Sequence, residues 1–284
     1  MSASRILVGL LLFVPASTAV AQDWNSREAR ALVDRAIARR ATVQADSGLK
    51  TFRARAHGFL FFLGQLGEGF SEPPRLIKSD QLELEVYWRA PGLSKQIILG
   101  RRDRRDLPTD ISYHRDHLGI VQNNFGDSIR LGDGDEALDV PHPLSAGGPA
   151  LYDYALVDSL GIELPDRAVR VYQVQFRPRA FDLPRIAGSL YLDVEQAEPV
   201  RFQFSFTPAA YRDATVEDIT VVLDNALWFG RYWLPRRQEL EIRRRTSWLD
   251  LPARASSGAA GKSGATSSIR SCRPTCSRPG PRKS

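Results

Sequence analysis

The segment "DISYHRDHLG" at residues 110–119 places two of the four histidines of this 284-residue chain beside two aspartates. Imidazole and carboxylate groups are the side chains that bind zinc and transfer protons in enzymes. A third histidine, His142, stands between two prolines, and a loop there could bring it close to His114 and His117. These three histidines are therefore candidate metal ligands, and the chemistry that they would support is metal-dependent hydrolysis.

The spacing within this segment argues against a shared metal ion. Side chains alternate along a strand, so residues 114 and 117 would point to opposite faces. A helix is disfavoured by Pro108 before the pair and by Gly119 and the "NNFG" run at 123–126 after it. Because the spacing also matches no closed zinc template, we expect surface or hydrogen-bonded structural histidines and no cofactor.

Other motifs offer no catalytic group either. The run "GDGDE" at 132–136 supplies oxygen ligands but lacks the twelve-residue series of a calcium loop, so a solvated turn is expected. The chain has no G-x-S-x-G elbow and no glycine-rich phosphate loop. Its two cysteines, Cys272 and Cys276, lie near the C-terminus and form at most half of a zinc site. No catalytic residue is predicted.

The N-terminus has the features of a cleaved secretory signal. Arg5 precedes an apolar run at 6–14, and small residues at 19–21 provide a cleavage site after Ala21. The apolar run is too short to span a bilayer as a mature helix, and an uncleaved membrane-anchoring helix is the alternative. We therefore expect a mature chain that begins at Gln22 and lies in the periplasm or in association with the outer membrane.

The charge distribution excludes a nucleic-acid-binding domain. The formal net charge is +6, but seven basic residues and no acidic residue lie in 254–284, which leaves −1 for residues 1–253. Proteins that bind phosphate backbones concentrate Lys and Arg on the folded domain. The C-terminal segment 248–284 is dominated by Ser, Gly, Ala, Pro and Arg, so it is predicted to be disordered. Its abrupt change in composition would also fit a shifted reading frame.

Residues 22–247 are predicted to form one domain of the α+β class, mainly β with an N-terminal helix. Ser26 can cap a helix in which apolar residues recur every three or four positions. Runs with alternating apolar and polar residues follow at 82–88, 95–99, 169–176, 189–194, 200–206, 218–223, 231–234 and 238–242. This succession predicts a single curved antiparallel sheet, an unclosed barrel with the helix on its concave face.

Two of these strand pairs carry a resemblance to a known family. The stretches "LELEVYWRAPGLSKQIILG" at 82–100 and "GSLYLDVEQAEPVRFQFSF" at 188–206 resemble the periplasmic lipoprotein carriers and outer-membrane lipoprotein-sorting proteins. The part from "YDYALVDSL" at 152–160 to "YWLPRRQELEI" at 232–242 is similar to exported Gram-negative envelope proteins that carry such a module before a membrane barrel. The resemblance covers about residues 26 to 245 and implies an unclosed barrel whose apolar interior holds acyl chains.

The most apolar part of the mature chain is "GFLFFLG" at residues 58–64. Burying an aromatic side chain contributes about 1.5 to 3 kcal/mol, so this segment is not expected to remain in water. A strand covered on both faces would bury it. In the alternative, the phenylalanines lie at the mouth of an apolar cavity or against a membrane or a partner. The residues expected to line that cavity are Phe59, Phe61, Phe62, Val86, Trp88 and Leu99.

Three hypotheses fit the sequence. The first is an exported, non-catalytic envelope protein that binds a lipid or a lipidated partner in the apolar cavity. The second is an interaction module that docks to an outer-membrane protein, or a fragment of a larger barrel protein. The third is a metal-dependent hydrolase that uses His114, His117 and His142. The absence of a catalytic signature in the sequence favours the first two.

Overall fold

A computed structural model of the chain describes residues 22–45, 49–66, 73–90, 93–106, 126–130, 137–163, 168–228, 232–248, 251–256 and 263–268. The predicted signal segment at 1–21, the two histidines at 114 and 117, the "GDGDE" run at 132–136 and both cysteines lie outside these residues. The predictions made for them therefore remain predictions.

One long helix and a series of strands make up the described part of the chain. Helix α1 covers Arg27–Ala45, and the short helix α2 covers Gly148–Leu151. The strands are β1 (Thr51–Leu66), β2 (Arg75–Arg89), β3 (Leu93–Arg105), β4 (Ser128–Ile129), β5 (Val140–Pro141), β6 (Tyr152–Glu163), β7 (Ala168–Pro178), β8 (Ile186–Asp193), β9 (Pro199–Phe206), β10 (Val216–Trp228), β11 (Tyr232–Trp248), β12 (Leu251–Ser256) and β13 (Ser263–Ser268). A 3₁₀ turn, Pro208–Ala210, precedes β10.

All strands except β4 and β5 belong to one antiparallel sheet. Its order is β3-β2-β1-β12-β11-β10-β9-β8-β7-β6, and β13 also pairs with both β1 and β11. The sheet is curved but does not close, so β3 and β6 form its two edges in the described part of the chain. The predicted fold class, a mainly β chain with an N-terminal helix and an unclosed curved antiparallel sheet, is confirmed.

The alternation of the sequence accounts for the core. Along β9, Phe202, Phe204 and Phe206 are buried while Gln203 between them is exposed. The ring centroids of Phe202 and Phe204 are 4.5 Å apart, and those of Phe176 on β7 and Phe202 are 5.8 Å apart. Aromatic contacts at these distances stabilise a core beyond the area that they bury. The centre of the sheet is therefore held by aromatic packing across β7 and β9.

Helix α1 packs chiefly against β6. Its N-terminus is capped by Ser26, whose Oγ accepts a hydrogen bond from the backbone N–H of Ala29 at 3.1 Å. The predicted apolar stripe lies against the core, with Leu32, Val33 and Ala36 buried. Within the described residues, no helix combines the length and the apolar character that a membrane crossing requires. The helix thus covers the β6 end of the sheet.

Asn25, just before α1, covers part of the exposed edge of β6. Its backbone has a left-handed conformation with φ of 62°, which asparagine tolerates better than most residues. The backbone N–H of Asn25 donates to the carbonyl of Tyr154 at 2.6 Å, and the Asn25 side-chain oxygen accepts from the Tyr154 N–H at 3.2 Å. These two bonds replace those that a further strand would make.

Strands β12 and β13 lie in the segment 248–284, for which composition predicted disorder. They occupy the space between β1 and β11, so that Ala265 pairs with Leu60 on one side and with Leu240 on the other. Strand pairing uses backbone N–H and C=O groups, so a segment of small and polar residues such as β13 can still pair when it lies between two long strands. The prediction of disorder for 248–284 as a whole stays a prediction.

Candidate functional site at the apolar rim of β2 and β3

His142, the one candidate metal ligand among the described residues, has a structural environment. Its side chain is 3% exposed, and its ring centroid lies 5.2 Å from that of Phe202. Its Nδ1 accepts a hydrogen bond from the backbone N–H of Leu144 at 2.9 Å. Burial holds the pKa of His142 well below its usual value, and the charge of Arg40 lowers it further. In the described part of the chain, no group of three or more His, Cys, Asp or Glu side chains could hold a metal ion.

The neutral state of His142 predicts a pH dependence of stability. Its pKa is lower in the folded protein than the ordinary value of 6.5. Below that pH the unfolded chain binds a proton that the folded protein does not bind, so stability falls as the pH decreases. We expect a loss that approaches about 1.4 kcal/mol per pH unit, measured by urea denaturation between about pH 7 and pH 5.

The variant His142→Gln should remove most of this slope, since it keeps a polar side chain that does not titrate. His57→Gln is the matched control, because His57 is exposed on β1, and its slope should equal that of the unaltered protein. An unchanged slope in His142→Gln would show that His142 is not the group responsible.

The six residues predicted to line a cavity are divided between two faces of the sheet. Phe62, Val86 and Trp88 are buried on the core face, with 8%, 6% and 7% exposed. Phe59 and Phe61 point to the opposite face, because side chains alternate along β1. Their rings stack there with centroids 6.3 Å apart. The six side chains therefore do not line one common surface.

Leu99, the sixth of these residues, lies at an irregularity between β2 and β3. Leu84 pairs with Ile98 and Glu83 pairs with Gly100, so Leu99 has no partner opposite it in the register. The side chains of Ile98 and Leu99 are 36% and 47% exposed, although Leu84 beside them is buried. The four residues Leu84, Val86, Ile98 and Leu99 are called the apolar rim below. At this rim the buried core face continues into exposed apolar surface at the sheet edge.

A group of charged side chains adjoins the apolar rim. Lys78 and Asp80 point to the core face of β2 and are 2% and 0% exposed, while the side chain of Arg101 on β3 is 41% exposed. The Oδ2 atom of Asp80 lies 3.3 Å from the Lys78 ammonium and accepts a hydrogen bond from Arg101 at 3.2 Å. The Lys78 ammonium also lies 5.2 Å from the ring centroid of Phe62. These three residues are called the charged cluster.

The charged cluster is a costly feature for the fold. Burying an ion costs several kcal/mol, and attraction to a partner offsets this only when the remaining lone pairs are also satisfied. The Oδ1 atom of Asp80 is buried without a hydrogen-bond partner. A half-satisfied buried group stabilises a core less than an apolar residue of the same size. The position of the cluster beside the rim therefore favours a role in binding.

A second ion pair holds β1 and β2 together behind the rim. On the outer face, Glu85 accepts a hydrogen bond from Arg53 Nε at 2.7 Å and another from the Tyr87 hydroxyl. The pKa of Glu85 is lowered mainly by the hydrogen bond from Tyr87. Burial raises this pKa, and Arg53 lowers it further, so that the net shift is downward. The pair links the two strands, because Arg53 lies directly opposite Tyr87 in the register. We assign this group a structural role.

Sequence reasoning missed Lys78 and Asp80. Both belong to the same alternating series as Leu82, Leu84 and Val86, which extends along the core face of β2. The buried apolar members of this series begin only at Leu82, so a pattern of apolar residues alone does not include Lys78 and Asp80. If the alternation along β2 is continued towards its N-terminus, Lys78 and Asp80 fall on the core face. Charged residues at core positions conflict with the apolar pattern, and such a conflict indicates a functional position.

Comparisons with known proteins assign no family to the chain. No protein-family model matches the sequence, and no curated protein matches it. A domain from Vibrio parahaemolyticus, described as an outer membrane lipoprotein-sorting protein domain, is 11% identical with a TM-score of 0.31 over 87% of this chain and 95% of that domain. The MucA/MucB complex of Pseudomonas aeruginosa contains a chain that is 12% identical with a TM-score of 0.22 over 88% of this chain and 100% of that chain. Because both TM-scores are low, these two similarities show only a distant likeness of fold and assign no function to the chain.

Proposed function

We propose that this chain is an exported, non-catalytic protein of the cell envelope that binds an apolar ligand at the apolar rim. The ligand would be a lipid or the lipid chain of a lipidated partner. The observation that carries the proposal is the continuity between the buried core face and the exposed side chains of Ile98 and Leu99 at an open sheet edge. Apolar side chains that remain in water at such an edge mark a site of association.

The architecture supports this position for a ligand. Helix α1 packs chiefly against β6, which lies at the other end of the strand order from β3. The exposed side chains at the rim belong to β3, and the buried side chains directly behind them belong to β2. An acyl chain laid along β3 would bury Ile98 and Leu99 against Leu84 and Val86. Each methylene removed from water contributes about 0.8 kcal/mol.

The sequence supports the cellular location. The segment 1–21 has the basic residue, apolar run and small residues of a secretory signal. The strand pairs at 82–100 and 188–206 resemble periplasmic lipoprotein carriers, in which an unclosed barrel holds acyl chains. The apolar rim falls within the first of these two stretches. An exported lipid-binding protein accounts for both features.

An interaction module is the second candidate. Strand β3 lies at the edge of the sheet in the described part of the chain, and its side chains from Ile98 to Arg105 are exposed. Edge strands with exposed apolar residues accept a strand from a partner protein. The two candidates differ in their ligand, because a peptide partner would require backbone pairing whereas a free lipid would not.

The double variant Ile98→Ser, Leu99→Ser tests the proposed site. We expect at least a tenfold weaker affinity for dodecanol in isothermal titration calorimetry, because about 1.4 kcal/mol of apolar contact corresponds to tenfold. The free energy of unfolding should change little, since both side chains are partly exposed. Val157→Ser is the control, because Val157 is 46% exposed on the opposite edge strand. Equal binding by the double variant and the unaltered protein would contradict the proposal.

A further inference from the structure

We infer that the ligand of the apolar rim carries an acidic group, and that Arg101 binds this group with Lys78 behind it. This inference rests on the function proposed above and adds the chemical class of the ligand. The ligand would be an amphiphile with an apolar chain along the rim and a carboxylate or phosphate at the charged cluster.

The geometry places Arg101 at the end of the rim. Arg101 lies opposite Leu82 in the register, on the same face as Leu84 and Ile98. The partners of Ile98 and Arg101 on β2, Leu84 and Leu82, are two residues apart, which is about 7 Å along the strand. An amphiphile whose chain contacts Ile98 and Leu99 would therefore present its headgroup near the Arg101 guanidinium.

The chemistry of Arg101 suits an acidic headgroup. Its side chain is 41% exposed and hydrogen-bonded to Asp80, so the guanidinium is positioned by the protein and still accessible from the sheet edge. The planar guanidinium matches carboxylate and phosphate groups in a two-point geometry. A fixed fork of this kind loses less side-chain entropy on binding than a free arginine does.

The surroundings raise the positive potential at this point. Residues that lie opposite one another in the register share a face of the sheet. The charged residues of β2 and β3 on the face of Arg101 are Lys78, Asp80, Arg101, Asp103 and Arg105. Their formal charges sum to +1. The Lys78 ammonium is buried against the ring of Phe62, where a low effective dielectric constant strengthens its field. An anion next to Arg101 would thus interact with both cations.

Dodecanoate and dodecanol, which have hydrocarbon chains of the same length and differ in the headgroup, provide the test. We expect the unaltered protein to bind dodecanoate at least tenfold more tightly than dodecanol in isothermal titration calorimetry at low ionic strength. The preference should shrink as salt is added, because the ions screen a partly exposed pair. Acetate, which carries the same carboxylate without the chain, should not compete. In Arg101→Gln the ratio of the affinities for dodecanoate and dodecanol should fall to about one.

The control variant lies one residue along the same strand. Arg102 is exposed on β3 and lies opposite Gln81 on the other face of the sheet, so Arg102→Gln should keep the full preference for dodecanoate. Arg101→Lys keeps the charge without the fork and should retain part of the preference. Circular dichroism would confirm that each variant is folded. The salt dependence is measured on the unaltered protein, so that part of the test stands even if a variant fails to fold.

The outcomes separate this inference from the proposed function. Equal affinities for dodecanoate and dodecanol, or a preference that survives in Arg101→Gln, would overturn the inference and leave lipid binding at the rim intact. Competition by acetate would overturn it as well, by showing an anion site that does not need the chain. Binding of neither amphiphile would instead remove the proposed function.

Discussion

Gly188→Ala is expected to destabilise the protein by at least about 3 kcal/mol, a cost typical of severe overpacking. A Cβ at this position would lie 2.0 Å from the carbonyl oxygen of Gln203 and 2.7 Å from the Cα of Phe204, in the neighbouring strand β9. Both are backbone atoms, so the clash cannot be relieved by a side-chain rotation. For a chain of this size the melting temperature should fall by roughly 6 to 12 °C.

Gly161→Ala is the matched control in the same sheet. A Cβ at Gly161, on the edge strand β6, would meet no atom within 4 Å. Alanine restricts the unfolded chain more than glycine does, so this variant should be as stable as the unaltered protein or slightly more stable. Both variants would be compared by thermal denaturation followed by circular dichroism. Similar melting temperatures for the two would contradict the close approach of β8 and β9 at Gly188.

Phe202→Ala is expected to cost about 3 to 5 kcal/mol, the range for removing a buried phenylalanine from a core. Phe202 is 3% exposed, and its ring lies 4.5 Å from that of Phe204, 5.2 Å from His142 and 5.8 Å from Phe176 by centroid distances. Its loss would leave a cavity between β7, β9 and the segment that contains His142. The free energy of unfolding in urea measures this cost directly.

The neighbouring variant Gln203→Ala serves as the control for Phe202→Ala. Gln203 is exposed on the other face of β9, and exposed substitutions of this kind usually change stability by less than about 0.5 kcal/mol. A loss below about 1 kcal/mol for Phe202→Ala would mean that the aromatic packing across β7 and β9 does not hold the centre of the sheet.

The fold could be predicted because its strongest signals are local. Ser26 followed by apolar residues at steps of three and four specified α1, and alternation specified strands such as β9. The order of the strands in an antiparallel sheet follows largely from their succession in the chain. The positions of β12 and β13 between β1 and β11 depend on backbone pairing between distant strands, which composition does not report.

The candidate site was only partly predictable. Val86 and Trp88 lie on β2 and Leu99 lies on β3, and a cavity that they line together stays a prediction. Phe59 and Phe61 were grouped with Phe62, although alternation along β1 puts them on the other face. The irregularity that exposes Leu99 and the pairing of Asp80 with Arg101 arise from the register of β2 and β3, and this register cannot be inferred from either strand alone.

Native mass spectrometry of the protein purified after export would detect a bound lipid without knowledge of its identity. We expect a complex heavier than the polypeptide by the mass of a lipid. The lipid should dissociate on collisional activation, and the complex should be depleted in the variant Ile98→Ser, Leu99→Ser. A protein that appears only at the mass of its polypeptide, and that takes up neither dodecanol nor dodecanoate when these are added, would contradict lipid binding at the apolar rim.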